Sequence, residues 1–189
     1  MKRKILLGAV VSILAVLGLA VAIRAIADSR MPTHFSGVIN DYTPVVGSTG
    51  STTGPWELHG LWNLTLHPES NTADFSSALT MELSDFSLTS TNISNSARMQ
   101  HTHHLTVEGG MVAPISGGFE VTGPVTITKD GGPAPAAIQG SSIVIDVTGG
   151  ALVEYSNITL TFQDGAVGHF GGQPLHGVVR KAYRPDEGR

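Results

Sequence analysis

The sequence predicts an all-β protein, a single-domain antiparallel sandwich or small barrel of about nine strands that follows an N-terminal apolar helix. Beyond residue 28, apolar and polar side chains alternate with a period of two, which is the pattern of strands with one buried face. Pairs of glycines separate these alternating segments, as expected of turns. No segment has the period of an amphipathic helix, and 189 residues with 41% hydrophobic content suit one domain.

The first 27 residues have the features of an export signal. Three basic residues precede an uncharged apolar run, residues 5–23, and the triplet Ala-Ile-Ala ends at Ala27. A positive start, an apolar segment and a small-residue cleavage site are typical of a secretory signal peptide. As a helix the run would be about 28 Å long, close to the roughly 30 Å of a bilayer core. Residues 1–27 are therefore predicted to be a signal peptide cleaved after Ala27, with a single-pass membrane anchor as the alternative.

Charge and composition exclude several classes of partner and site. From residue 28 onward the chain has 15 acidic and 7 basic residues, a net charge of −8. Such a domain repels nucleic-acid phosphates and anionic lipid headgroups, so we expect no nucleic-acid partner, and membrane contact only through residues 5–23 if they are retained. The absence of cysteine excludes disulfides and thiolate metal ligands. The expected location is secreted, periplasmic or cell-surface, while the sequence identifies no protein or small-molecule partner.

The alternating pattern divides the rest of the chain into elements. Residues 28–33 are interpreted as a linker, 34–183 as the β domain and 184–189 as a polar tail. Residues 43–55 are small and polar and predict a long surface loop. Strands are predicted at residues 34–42, 56–67, 73–84, 99–107, 118–128, 141–148, 151–162, 166–170 and 175–183. Turns are predicted at the glycine pairs that begin at Gly109, Gly117, Gly131, Gly149 and Gly171.

The segment MQHTHHLTV, residues 99–107, carries the clearest chemical signal. In a regular strand His101 and His103 point into the apolar interior with Leu105, whereas His104 points outward with the threonines. The two inward imidazoles would start about 6 to 7 Å apart and could reach one ion. Burial of two imidazoles is costly unless they are bonded, so a divalent-metal site is one interpretation. Hydrogen bonds to carbonyl or carboxylate groups, without an ion, are the other.

A metal site built on this pair needs further ligands, because zinc and similar ions usually take three or four from the protein. His169 and Glu108 are the predicted additional ligands, and His176 and Glu154 are further candidates. Imidazole ligands are typical of zinc and copper sites, and the sequence does not select between these two ions. No residue is assigned to catalysis or to an organic cofactor.

The sequence favours a non-catalytic extracytoplasmic β module with a divalent-metal site on the histidine strand. Two alternatives remain open. One is a cupin-like or copper-zinc-type metalloenzyme that uses the same histidines, because HTHHLTVE, residues 101–108, fits the H-x-H-x4-E spacing of the cupin metal motif. The glycines and the second motif of cupins are missing. The other alternative is a structural or adhesive surface domain.

The order of several short segments resembles the CHRD domain, the extracellular module named from chordin. FSGVINDYTPVVGSTGSTTG is followed by GLWNLTL, ADFSSALTMELSDF, HTHH and FGGQPLHGVVR, so the resemblance extends over residues 35–180. It implies an extracellular all-β module without an assigned enzymatic activity. The family's histidine pair would correspond to His101 and His103, and its closing glycine-rich strand to Gly171, Gly172, Gly177 and Val178. The chain departs from the family in LTVEGG after the pair and in His176, where the family has a charged residue.

Overall fold

The computed structural model describes residues 31–43, 56–83, 100–130, 132–134, 136–149 and 155–185. The predicted export signal lies outside these residues, and so does nearly all of the predicted surface loop. Residues 32–189 form one compact unit. Within the described part of the chain, no helix is both long enough and apolar enough to cross a membrane.

Ten strands make up most of the described chain. They are β1 (His34–Thr43), β2 (Trp56–His67), β3 (Thr72–Leu83), β4 (His101–Ile115), β5 (Gly118–Pro124), β6 (Thr126–Lys129), β7 (Gly132–Pro133), β8 (Ser142–Thr148), β9 (Asn157–Phe162) and β10 (Leu175–Tyr183). A 3-10 turn at Ala136–Ile138 precedes β8, and a one-turn helix, α1 (Ala166–His169), lies between β9 and β10.

Eight of these strands close into an antiparallel barrel. Their order around the wall is β1, β2, β3, β4, β5, β8, β9 and β10, and β10 pairs with β1. Of the two remaining strands, β6 pairs with β4 and β7 pairs with β6. The predicted all-β fold is confirmed, and of the two predicted architectures the chain adopts the barrel.

The barrel interior is a packed apolar core. Along each strand alternate side chains point inward, and an eight-stranded barrel is just wide enough for those side chains to fill. The largest fully buried side chains include Trp62, Phe35, Phe75, Phe119 and Phe170. Burial of each large apolar side chain contributes about 1.5 to 3 kcal/mol, so the core supplies the main stabilisation of a chain without disulfides.

Gly109 and Gly110 lie inside β4, so the turn predicted at this glycine pair is wrong. The register between β3 and β4 shifts at this point, which marks a β-bulge. Gly109 has a φ of 62°, a left-handed conformation that glycine adopts without steric cost. Its N–H donates a hydrogen bond to Asp74 Oδ1 at 2.8 Å. The carboxylate of β3 thereby holds the bulge in β4, and the strand continues beyond it.

The single strand predicted at residues 118–128 is two strands. Pro124 ends β5 because proline has no N–H to donate to the sheet. The N–H of Val125 instead donates to the carbonyl oxygen of Ser141 at 2.9 Å. Beyond this break β6 pairs with β4 but no longer with β8. The break therefore separates the chain from β8, while β6 remains beside β4 with Ile127 buried.

The strand predicted at residues 166–170 is also wrong, because most of this segment is helix α1. This short, mostly apolar segment follows a turn at Asp164, which has a φ of 59°. The N–H of Ala166 then donates to Ser141 Oγ at 3.0 Å, outside the sheet. The N–H of Phe170 donates to the carbonyl oxygen of Ala166 at 3.1 Å, which closes one helical turn.

Gly37 on β1 offers a test of the packing between β1 and β10. A Cβ atom there would overlap the carbonyl oxygen of Val178 and would lie 2.9 Å from the Trp62 ring. Because neither group is a flexible side-chain end, we expect Gly37→Ala to lower the free energy of unfolding by about 1 to 3 kcal/mol. Denaturant titration measures this change. Gly168→Ala is the control, since its Cβ would meet nothing within 4 Å; equal losses in both variants would contradict this account.

Candidate metal centre

The histidine cluster lies at one end of the barrel, which we call the mouth. At this end β1 and β3 finish and β2 and β4 begin, because Thr43 pairs with Trp56, Trp56 with Leu83, and Met81 with His101. His101 is the first residue of β4. The histidine strand therefore enters the barrel wall at the mouth, and its first side chains lie at or just below the rim.

The alternation along β4 determines which histidines face the interior. His103 pairs with Leu79 across β3, and both side chains are fully buried. His101 lies on the same face, at the rim, and is partly exposed. His104 is exposed on the outer face, where its Nε2 lies 2.7 Å from Asp130 Oδ1. The predicted orientation of these three histidines is confirmed.

Helix α1 brings His169 to the same place. Its first turn is fixed by Ser141, whose Oγ accepts a hydrogen bond from the Ala166 N–H and donates one to the carbonyl oxygen of Ile138. At its other end Phe170 is buried and stacks on Phe162 with a centroid distance of 4.0 Å. Because His169 lies between these two attachments, its ring has little freedom to move away from the mouth.

The three imidazoles converge on one point. One nitrogen each from His101, His103 and His169 lie within 4.8 Å of one another. Nε2 of His103 and Nε2 of His169 are 2.8 Å apart. Two nitrogens that bind one ion at about 2.0 to 2.1 Å in tetrahedral geometry are about 3.3 Å apart. The spacing of the three nitrogens is therefore of the size that a single ion needs.

The environment of the cluster keeps its buried rings neutral. The pKa of His103 is lowered to about 3, mainly by burial and also by the neighbouring His169, His101 and Lys129, while the backbone of Thr128 acts in the opposite direction. Burial also lowers the pKa of His169 to about 4, with contributions from His101 and Lys129. A neutral imidazole keeps the lone pair that binds a metal. At neutral pH protons therefore do not compete with an ion at these two rings.

The buried ring of His103 has an unmet bonding requirement. Its Nδ1 is inaccessible to solvent and has no hydrogen-bond partner of normal geometry. Its Nε2 has only another imidazole nitrogen, that of His169, at hydrogen-bond distance. One ring must then donate and the other accept, which is possible because both are neutral. A polar group buried in this way costs free energy, and a bound cation would compensate part of that cost.

Three further residues complete the surroundings of the cluster, and the sequence did not single them out for this role. The ring of Trp56 meets His101 edge-on at 5.5 Å, and Phe170 meets His103 at 5.5 Å. Lys129 on β6 lies opposite His103 in the pairing of β6 with β4. The contact between Trp56 and His101 depends on strand pairing around the barrel, which the sequence does not show.

Two of the other predicted ligands, Glu108 and His176, lie outside the cluster. Glu108 is exposed on β4 and does not belong to the cluster of metal-binding groups. His176 is exposed, and its Nδ1 lies 2.9 Å from Asp41 Oδ2. Glu154 falls outside the described residues. Of the three candidates for additional ligands that the structure describes, His169 is the one brought to His101 and His103.

The fold and the site define a closed antiparallel β-barrel with a three-histidine cluster that could hold a metal ion. No family model, curated protein or solved structure matches the chain. The assignment of a function therefore depends on the geometry and chemistry of the site itself.

The lowered pKa values predict how the stability of the metal-free protein depends on pH. His103 and His169 are neutral in the folded chain and take up protons on unfolding below their usual pKa of 6.5. The free energy of unfolding should therefore fall as the pH drops from about 6.5 towards 4, by up to about 1.4 kcal/mol per pH unit for each ring. Thermal unfolding with a chelator present, at a series of pH values, measures the slope.

The variant His103→Gln isolates the buried ring in this experiment. Its stability should depend less steeply on pH between 6.5 and 4 than that of the native chain. Asp74 and Asp130, whose pKa values are lowered by their hydrogen bonds, lose their contribution only below their usual value of 3.8, so they do not interfere. An unchanged slope in the variant would contradict the assigned environment of His103.

Proposed function

We propose that this chain is an exported β-barrel module that binds one divalent metal ion, zinc or copper, through His101, His103 and His169. The observation that carries the proposal is the convergence of three imidazole nitrogens within 4.8 Å at the mouth of a closed barrel. The module is proposed to act by binding rather than by catalysis, as the sequence favours.

The chemistry of the ligands supports zinc or copper over the harder cations. Calcium and magnesium prefer oxygen ligands, whereas imidazole nitrogen is a common ligand of zinc and copper. No carboxylate joins the cluster within the described part of the chain. The pKa values of about 3 for His103 and about 4 for His169 also mean that binding at neutral pH requires no proton release from either ring.

The sequence supports the proposed export. Residues 5–23 form an apolar run behind three basic residues, and Ala27 completes a small-residue cleavage triplet. The absence of cysteine is compatible with an oxidising compartment, because no thiol is present to react. The proposed CHRD-like relationship agrees with an extracellular location and rests on the same short segments of sequence.

Metal analysis tests the site directly. The purified chain should bind one Zn²⁺ or Cu²⁺ per molecule in a titration followed by elemental analysis. His169→Ala should weaken binding by at least about 10- to 100-fold, because even the loss of a group that only orients a metal ligand has an effect of that size. His169 is the preferred position, since its side chain lies partly exposed at the rim and its removal leaves the barrel core intact.

His104→Ala is the matched control for this experiment. It removes a histidine from the same strand, next to His103, but on the outer face of the barrel. This variant should bind metal as tightly as the native chain. A native chain that binds no stoichiometric ion would overturn the proposal, and so would equal losses of affinity in His104→Ala and His169→Ala.

Export has a separate test. The full chain should be expressed in a host with a general secretory pathway, and the mass of the exported product measured. Cleavage after Ala27 predicts a product that begins at Asp28. A product that begins at Met1 and fractionates with membranes would contradict cleavage and support the anchor, whereas retention in the cytoplasm would contradict export.

A further inference from the structure

We infer that a metal ion held by the three histidines keeps one exchangeable coordination position at the mouth of the barrel, and that a small anion binds there with the help of Lys129. This inference rests on the proposed function, because it concerns the same ion. It adds the chemical class of the molecule that the module would bind.

The number of protein ligands is the first step of the argument. Within the described part of the chain, His101, His103 and His169 form a cluster that includes no carboxylate and no fourth histidine. Zinc in structural sites normally has four protein ligands, whereas sites with three protein ligands bind water or an exogenous molecule at the fourth position. Three imidazoles around one ion therefore leave a position for a molecule from solution.

The burial of the three rings indicates where that position lies. His103 is fully buried and contacts the rings of Phe170 and His169. His101 and His169 are partly exposed. The ion would thus be covered by protein on the side of His103 and accessible on the side of the rim. A small molecule could reach it from solution without displacing the core.

Lys129 places a positive charge on the same side of the sheet. In the pairing of β4 with β6, Leu105 lies opposite Ile127, and His103 lies opposite Lys129. Side chains that are directly opposite in an antiparallel pair lie on the same face of the sheet. Leu105 and Ile127 are both buried on the core face, so Lys129, two residues beyond Ile127, projects from that face as well. Because Lys129 is exposed, its charge lies at the rim.

The charge balance favours an anion at the open position. Three neutral imidazoles leave the two positive charges of the ion uncompensated, and Lys129 adds a third. No carboxylate joins the cluster among the described residues, and that of Asp130, next to Lys129, is hydrogen-bonded to His104 on the outer face at 2.7 Å. An anion bound to the ion would therefore gain attraction from both the metal and the lysine. A neutral ligand of the same size would gain much less.

Cobalt(II) and azide provide the test. Co²⁺ binds in place of Zn²⁺ at zinc sites, and its visible absorption bands respond to a change of ligand. The full chain loaded with Co²⁺ is titrated with sodium azide at constant ionic strength, and the spectrum is recorded. We expect a saturable change in the visible bands with one azide bound per cobalt ion. If the bands of the cobalt-loaded chain do not change, the inference is overturned while the proposed metal site stands. A chain that binds no Co²⁺, Zn²⁺ or Cu²⁺ would overturn both.

Two lysine variants test the contribution of charge. Lys129→Gln should bind Co²⁺ but should weaken azide binding by about three- to tenfold, which is the effect of one unit charge a few ångströms away at the protein surface. Lys181→Gln on β10 is the control, because it removes the same charge from a strand position paired with Ser36, far along the barrel wall from the mouth. Equal azide affinities in both variants would overturn the role of Lys129.

Discussion

The pairing of β3 with β4 is the interaction on which the site depends. It closes the barrel, and the closed barrel gives every strand an interior face that excludes water. His103 stands opposite Leu79 in this pairing and is buried for that reason. An open sheet would leave the same histidine at a solvated surface, where its pKa would not fall to about 3. The chemistry of the cluster is therefore a consequence of closure.

The third histidine reaches the cluster by a different physical route. His101 and His103 are neighbours on one strand, whereas His169 comes from 66 residues away along the chain. Its position depends on a short helix that is attached at one end through Ser141 and at the other through the stacked ring of Phe170. Sheet alternation therefore places two ligands, while side-chain hydrogen bonding and aromatic packing place the third.

The sequence predicted features that depend on neighbouring residues, but not those that depend on the order of strands in the barrel. The alternation around His103 predicted its inward direction correctly, because the period of a strand is visible within a few residues. The strand predicted at residues 166–170 is a helical turn instead, because a short apolar segment is compatible with either structure. The sequence contained His169 as a candidate ligand but not the reason to prefer it to Glu108. That choice needs the order of strands around the barrel, which depends on long-range pairing.

The bulge at Gly109 affects the orientation of side chains along the whole of β4. Beyond it, the even-numbered Gly110 and Val112 are the buried residues of β4, whereas before it the odd-numbered Val107 and His103 are buried. The extra residue thus exchanges the inner and outer faces of the strand. If β4 had no bulge and kept the alternation of the residues after Gly109 along its whole length, His104 would point inward and His103 towards solvent. A single inserted glycine, secured by the carboxylate of Asp74, decides which imidazoles meet inside the barrel.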